Sequence, residues 1–364
     1  MWRERKAEWV AAGVARRLLV LASQVPFVRG GAESHAVNLV GALREAGHQA
    51  ELLALPFKFE PLEHHDWMMR AAEELDLAVF GRHRVDGVIS LLYPMWGARH
   101  ERHVSWIIHQ HRAVYDLYGQ RPERDTDRTL RDRISSFDTR HLASKVAVFA
   151  NSRNVASRLQ HFNGIHAEVL YHPPPNAGKF HSAKAFPFIF CPSRVESLKR
   201  QFLLLEAVRF LKHPIAIIFA GEGSQAVSLA QSIKDQGLEA QVALLGHVSE
   251  AEKIALYARC SAVFFAPKDE DLGYVTLEAM CASKPVITCL DSGGPLEFVV
   301  DGETGWVLPA DAQAIAAVID RVRCEPAQAA AMGRRGRARY DALDLSWGAV
   351  TQRLLAALFA GESR

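Results

Sequence analysis

Short apolar runs alternate along the chain with segments of helical periodicity, and the rhythm is broken once. Leu18-Leu19-Val20-Leu21-Ala22 leads through a loop to Ala36, Leu39, Val40 and Leu43, which share a helical face at i, i+3, i+4 and i+7. Gly47 then fits a helix stop, and Glu51 to Leu55 resumes an extended run. Further strands are predicted at 88–92, 104–108 and 146–150. The break is Tyr171-His172-Pro173-Pro174-Pro175-Asn176-Ala177-Gly178, where three prolines rule out both a helix interior and a central strand, so it reads as a linker. The alternation restarts with strands at 188–191, 215–220, 242–245, 262–266 and 286–289. Leu204, Ala207, Val208 and Leu211 mark a helix between the first two of these. Strands alternating with helices mean parallel sheets joined by crossovers. The predicted class is therefore α/β: two doubly wound, Rossmann-like domains, 1–175 and 176–344, facing a cleft. A last helix within 345–364, carrying Trp347, Val350 and Leu354, is expected to return to the first domain.

The length of 364 residues suits two domains. Lys and Arg total 43 against 41 Asp and Glu, a net of +2, so a nucleic-acid partner is not expected. No apolar run approaches the roughly 18–20 residues that cross a bilayer. Arg16 and Arg17 interrupt the N-terminus before any signal-peptide core, and the expected location is the cytoplasm. Trp2 and Trp9 lie among basic residues in 1–17, which raises a weak peripheral contact with the inner face of a membrane; a frayed terminal helix is the plainer reading. Cys191, Cys260, Cys281, Cys289 and Cys324 form an odd, widely spaced set without a C-x-x-C pair, as suits reduced thiols.

Chemistry concentrates in the second half. Asp269-Glu270-Asp271-Leu272-Gly273-Tyr274-Val275-Thr276-Leu277-Glu278 follows a strand and turns into a helix starting near Gly273. Glu270 in the loop and Glu278 on the helix can both face a ligand at the helix mouth, where free N–H groups favour phosphate. Alone, the pattern is also an acidic first turn with a surface glutamate. Its company is Ser193-Arg194-Val195-Glu196-Ser197-Leu198-Lys199 after the strand at 188–191, Gly221-Glu222-Gly223, Ser292-Gly293-Gly294-Pro295 and Asp301-Gly302-Glu303-Thr304-Gly305. Arg194 and Lys199 together suit a diphosphate, one as a fork and the other as a point charge.

With these residues the sequence resembles the retaining glycosyltransferases of family four, which have the GT-B fold. Glu270 and Glu278 match the E-x7-E motif, Arg194 and Lys199 the Arg/Lys pair, and Gly30-Gly31 the glycine loop. Gly246-His247-Val248-Ser249 looks like the turn that borders the base. The likeness runs from about Leu18 to the last helix, strong from Phe188 to Leu308 and looser before. It departs after the first glutamate: the family commonly has Gly-Phe-Gly where this chain has Asp271-Leu272-Gly273. The resemblance implies a hexosyltransferase of glycan biosynthesis that uses a nucleotide sugar such as UDP-glucose or GDP-mannose. The acceptor would be a glycan, a lipid-linked sugar or a small molecule, and no cofactor or metal is expected. It further implies Glu270, His109, Arg194 and Lys199 at the reacting centre. The donor-binding set would be Gly30, Gly31, Arg194, Lys199, Val248, Glu270, Gly273, Tyr274, Val275 and Glu278, with Glu278 on the ribose, Glu270 on the sugar hydroxyls and Arg194 with Lys199 on the diphosphate.

Other features read more simply. His109 and His111 follow a strand; two histidines at i, i+2 suggest a metal, yet no third ligand is apparent nearby. His64-His65-Asp66 reads as a surface cluster. The alternating charges from Arg112 to Arg133, including Arg121, Arg124, Arg128 and Arg131, read as a solvated, salt-bridged face. Gly221-Glu222-Gly223-Ser224-Gln225-Ala226 formally fits a dinucleotide fingerprint, but it follows the second strand of its domain, whereas that fingerprint follows the first. The competing readings are a nucleotide-sugar epimerase on the same architecture, a dinucleotide oxidoreductase and a non-catalytic nucleotide-sugar-binding protein.

Overall fold

The computed structural model describes residues 15–28, 30–118 and 125–361, with backbone alone for 125–127. Trp2, Trp9, Arg121 and Arg124 lie outside the described residues. The chain divides into two units: one ends at Pro175 and takes in the chain again from Ser346, and the other is Asn176–Leu345.

The first unit contains β1 (Arg17–Gln24), α1 (Gly31–Glu45), β2 (Gln49–Pro56), α2 (Glu63–Glu74), the short antiparallel pair β3 (Val79–Phe80) and β4 (His83–Arg84), β5 (Gly87–Leu92), β6 (His103–His109), α3 (Asp125–Ala143), β7 (Ala147–Ala150), α4 (Arg153–Asn163) and β8 (Glu168–Val169). Its sheet is parallel in the order β2-β1-β5-β6-β7-β8. β5 lies in the sheet interior, and every one of its residues is buried. β2 is an edge strand, and five of its eight residues are exposed. The final helix, α11 (Trp347–Leu358), places Val350, Leu354, Ala357 and Leu358 in one core with Leu18, Leu39 and Leu43. Burying side chains of this kind contributes about 1.5–3 kcal/mol each. Arg353 of this helix pairs with Glu168, and Trp347 stacks on His172 with centroids 5.4 Å apart.

The second unit repeats the plan with β9 (Phe188–Pro192), α5 (Gln201–Val208), β10 (Ala216–Ala220), α6 (Ala226–Asp235), β11 (Val242–Leu244), α7 (Glu250–Arg259), β12 (Ala262–Phe264), α8 (Tyr274–Cys281), β13 (Val286–Cys289), β14 (Gly305–Leu308), α9 (Ala312–Cys324) and α10 (Pro326–Ala342). Its parallel order is β11-β10-β9-β12-β13-β14. The class is α/β, with two six-stranded parallel sheets, as the alternation predicts.

Several local expectations need correcting. β14 begins at Gly305, where the sequence reading places no strand; a Cβ there would sit 2.2 Å from the Val286 carbonyl oxygen, so glycine is what lets the strand approach β13. Leu211 lies beyond the end of α5 and packs on the core from the following turn. His65 is not a surface residue: it is fully buried beside Phe57, Tyr93 and His111. His65, Met68, Met69 and Ala72 stand at i, i+3, i+4 and i+7, so the histidine occupies the apolar stripe of α2.

The run beginning at Arg112 is not uniformly solvated either. Arg112 and Asp116 are both mostly buried and pair at 2.5 Å, with Arg158 3.8 Å from the same carboxylate. Farther along, Arg131 covers the Tyr118 ring at 4.3 Å and Arg133 pairs with Asp66 at 2.9 Å. Asp138 behind them is fully buried and accepts from Trp96 Nε1 at 2.8 Å and Tyr115 OH at 2.6 Å. Burial pushes its carboxyl up to about 7.

Candidate active site

In the second unit, the loops that leave the carboxyl ends of β9 to β13 are laced together by backbone hydrogen bonds. The Val195 N–H donates to the Glu222 carbonyl at 3.0 Å and the Gly221 N–H to Gly246 at 2.7 Å. The Lys268 N–H donates to Leu198 at 2.8 Å, and the Asp269 and Glu270 N–H groups donate to Asp291 at 2.8 Å and Ser292 at 2.9 Å. The Gly294 N–H returns to the Glu270 carbonyl at 2.8 Å. The glycines make this lacing possible. A Cβ on Gly221 would lie 2.2 Å from the Ser193 carbonyl oxygen, and one on Gly223 would lie 2.3 Å from that of Val195. The apparent dinucleotide fingerprint is thereby explained by close backbone packing against the loop that carries Arg194.

The candidate donor residues of this unit sit on that scaffold. Lys199 closes the short helical turn Ser197–Lys199 after β9 and forms an ion pair with Glu270. Both side chains are about four-fifths buried (17% and 18% exposed), so the pair is sheltered from screening. The Lys199 ammonium also lies 5.6 Å from the Phe265 ring centroid. Arg194 is exposed in the same loop. Gly273 is the N-cap of α8 at φ +83°, and a Cβ there would also strike the Phe265 ring at 2.7 Å. No side chain caps that helix start. Leu272, where the family has phenylalanine, is buried, while Tyr274 and Val275 are half-buried in the first turn. Val248 is half-buried in the loop after β11.

Glu278, one turn into α8, is only 5% exposed. Its Oε1 accepts from Lys253 Nζ at 3.0 Å and its Oε2 from Tyr257 OH at 2.7 Å. Burial works against the charge on Lys253, but the Glu278 and Glu250 carboxylates outweigh it and hold the ammonium above the ordinary lysine range. Burial, then Glu278, raises the Tyr257 phenol, which stays a donor. Sequence reasoning missed Lys253 and Tyr257. The available signal was their i, i+4 spacing behind the capping box Ser249–Glu252, which puts a lysine on the face that carries a buried tyrosine. Arg200 was missed as well: it clamps Asp291, with Nη1 at 2.7 Å from Oδ1, and so fastens the loop after β13 to the loop after β9.

In the first unit, Gly30 is the N-cap of α1 and Gly31 its first residue. Gly30 has φ −162°, an extended value open to any residue, so close approach rather than a left-handed backbone is what glycine offers there. His109 ends β6, half-buried, its Nδ1 2.9 Å from the Gln110 carbonyl oxygen. His111 turns instead into the rings of Phe57, His65 and Tyr93, where burial and the neighbouring histidines lower it to about 3. Its environment is an aromatic cluster, not a ligand set shared with His109.

Known proteins are similar to this chain in sequence and in fold. Residues 176–339 match the family described as "Glycosyl transferases group 1". The human alpha-1,3/1,6-mannosyltransferase ALG2 is 30% identical over 204 residues, 52% of this chain and 46% of that protein. A GDP-mannose-dependent alpha-(1-6)-phosphatidylinositol monomannoside mannosyltransferase of Mycolicibacterium smegmatis is 31% identical over 163 residues, 42% of each. The matched regions span less than half the length of these curated relatives. Among solved structures, sucrose-phosphate synthase from Thermosynechococcus elongatus superposes with a TM-score of 0.78 at 18% identity, covering 95% of this chain and all of that one. Anabaena Alr3699/HepE in complex with UDP and glucose superposes at 0.71 and 17% identity, covering 94% and 99%. The segment 176–339 is thus similar to the glycosyl transferases group 1 family, and the chain has the GT-B fold of the solved structures it superposes on.

Proposed function

We propose that the chain transfers a hexose from a nucleoside diphosphate sugar to a glycan, lipid-linked or small-molecule acceptor, with retention of anomeric configuration. The observation that carries this reading is the sheltered Lys199–Glu270 pair on a loop scaffold that also presents Arg194, the uncapped start of α8 and Glu278. Lys199 has three N–H donors; one serves Glu270, which leaves the others for phosphate oxygens. Arg194 adds a fork for the same diphosphate. Glu270 would accept from the sugar hydroxyls and Glu278 from the ribose. Gly30 and Gly31 would approach the donor phosphate, His109 the donor sugar, and Val248 the base. Catalysis is then positioning plus stabilisation of charge on the departing diphosphate, with no protein nucleophile assigned. Because two cations already meet that charge, the reaction is proposed to run without a metal, and chelator should leave it unchanged.

The relatives named as mannosyltransferases are more similar in sequence than the solved structure holding UDP and glucose, so GDP-mannose is the first donor to test and UDP-glucose the second. The test screens nucleotide sugars for binding and then for nucleoside diphosphate release, with NMR of the product anomer. Retained configuration supports the reading. An epimerised sugar formed without acceptor would replace it with the epimerase, and binding without release from any donor–acceptor pair would leave a nucleotide-sugar-binding protein.

A further inference from the structure

Glu278 has more structure around it than a ribose contact alone requires. A carboxylate that is 5% exposed loses most of its hydration, and that loss must be met by donors and an opposite charge. Both come from α7: Lys253 supplies the charge and one hydrogen bond to Oε1, and Tyr257, fully buried, supplies the other to Oε2. Each oxygen is thus held by one donor on the helix side. With about four acceptor sites per carboxylate, each oxygen keeps one that is not spent on α7. Two acceptors fixed side by side match two adjacent hydroxyls, the arrangement a ribose presents.

We infer that Lys253 and Tyr257 are positioning residues that hold Glu278 as a fixed, two-point acceptor for the 2′- and 3′-hydroxyls of the donor nucleoside. This rests on the proposed assignment of Glu278 to the ribose. Lys253 also reaches Glu250 at 3.0 Å, and Asn176 Nδ2 donates to Glu250 at 3.1 Å. The lysine is therefore held from the linker side too, and its geometry does not depend on Glu278 alone. Tyr257 is wedged edge-on against Phe180 and Phe190, with centroids 5.4 and 5.1 Å away, so its hydroxyl has little freedom to follow a moving carboxylate. Holding the acceptor before ligand arrives removes an ordering cost at binding.

The test measures affinity for a ribonucleoside diphosphate and for its 2′,3′-dideoxy form by calorimetry, using GDP or UDP, whichever the native protein binds more tightly. Native protein should prefer the ribo form. Lys253→Met should weaken the ribo form about ten-fold or more, the scale of a hydrogen bond to a charged group, and leave the dideoxy form within two-fold, so that the preference collapses. Tyr257→Phe, which keeps the ring packing, should do the same to a smaller degree. Lys253→Arg should restore at least a third of the native preference. A purely structural ion pair would move both ligands equally, and that result would overturn the proposal. Glu278→Gln is the reference. If it leaves the preference intact, the ribose assignment itself fails. If it abolishes the preference while Lys253→Met and Tyr257→Phe do not, the assignment stands and the positioning role is overturned. Should Lys253→Met fail to fold, Tyr257→Phe and Lys253→Arg carry the same comparison.

Discussion

Gly294→Ala tests whether the loop lacing holds Glu270 in place. A Cβ at this position lies 2.5 Å from the Asp271 carbonyl oxygen and 2.7 Å from that of Leu272, backbone atoms that cannot rotate away. No unusual dihedral angle adds to the problem, so the effect is steric. To regain even 3.0 Å, the 270–272 backbone must retreat by about half an ångström, and ordinary van der Waals contact requires about 1 Å. The Gly294 N–H is itself bonded to the Glu270 carbonyl, so the retreat is transmitted to the carboxylate paired with Lys199. A 1 Å misplacement near reacting groups costs about a hundred-fold, so kcat/KM for the donor should fall by about ten- to a hundred-fold. Overpacking should lower stability by about 1–3 kcal/mol. The assay pairs donor turnover with urea unfolding, and Gly41→Ala serves as control. Gly41 lies in α1 with open space around its Cβ, and alanine there should stabilise by about 0.5–1 kcal/mol. Native turnover in Gly294→Ala would refute the claim that this loop contact positions Glu270.

Arg194→Ala and Lys199→Ala should each reduce donor turnover by about ten- to a hundred-fold, from about 1.5–3 kcal/mol per hydrogen bond to a charged group. Because Arg194 is exposed, its variant should melt like the native protein; full turnover in both variants would remove the diphosphate assignment. Stability should fall as pH drops from about 6.5 toward 4. Burial lowers His35, His65, His103, His111 and His172, with His172 at about 4, so the unfolded chain takes up these protons first and is favoured by acid. Asp138, raised to about 7, works the other way over the same interval, but it is one group against these five and the likewise lowered His48 and His141. A urea midpoint that is equal or higher at pH 5 than at pH 7.5 would contradict this balance.

The sheets were legible because burial on both faces leaves long apolar runs in interior strands such as β5 and β9, which composition exposes at once. β14 was not, since its first residue is a glycine, and the need for glycine there comes only from the neighbouring carbonyl of Val286. Glu270, Glu278, Arg194 and Lys199 were visible as a motif with a spacing. Lys253, Tyr257, Arg200 and Asp291 were not, because each acts through a partner on another element. The i, i+4 spacing of Lys253 and Tyr257 marks a shared helix face, but nothing local ties that face to a carboxylate 25 positions away. His65 was readable and misread: its place on the stripe with Met68, Met69 and Ala72 outweighs its polar neighbours.

The central claim is that one glutamate serves the nucleoside and the other the sugar, and calorimetry with the free nucleoside diphosphate beside turnover with the full donor tests it directly. A carboxylate that accepts hydroxyl hydrogen bonds stabilises only the ligand that carries those hydroxyls. Glu278→Ala should therefore weaken both the free nucleotide and the donor. Glu270→Ala should leave nucleotide affinity nearly native while lowering transfer, with the loss in kcat to the extent that the contact strengthens as the sugar gains positive charge. Equal losses in both assays for both variants would contradict the division of roles, and no loss in either would reduce the pair to the start of a helix and its neighbour.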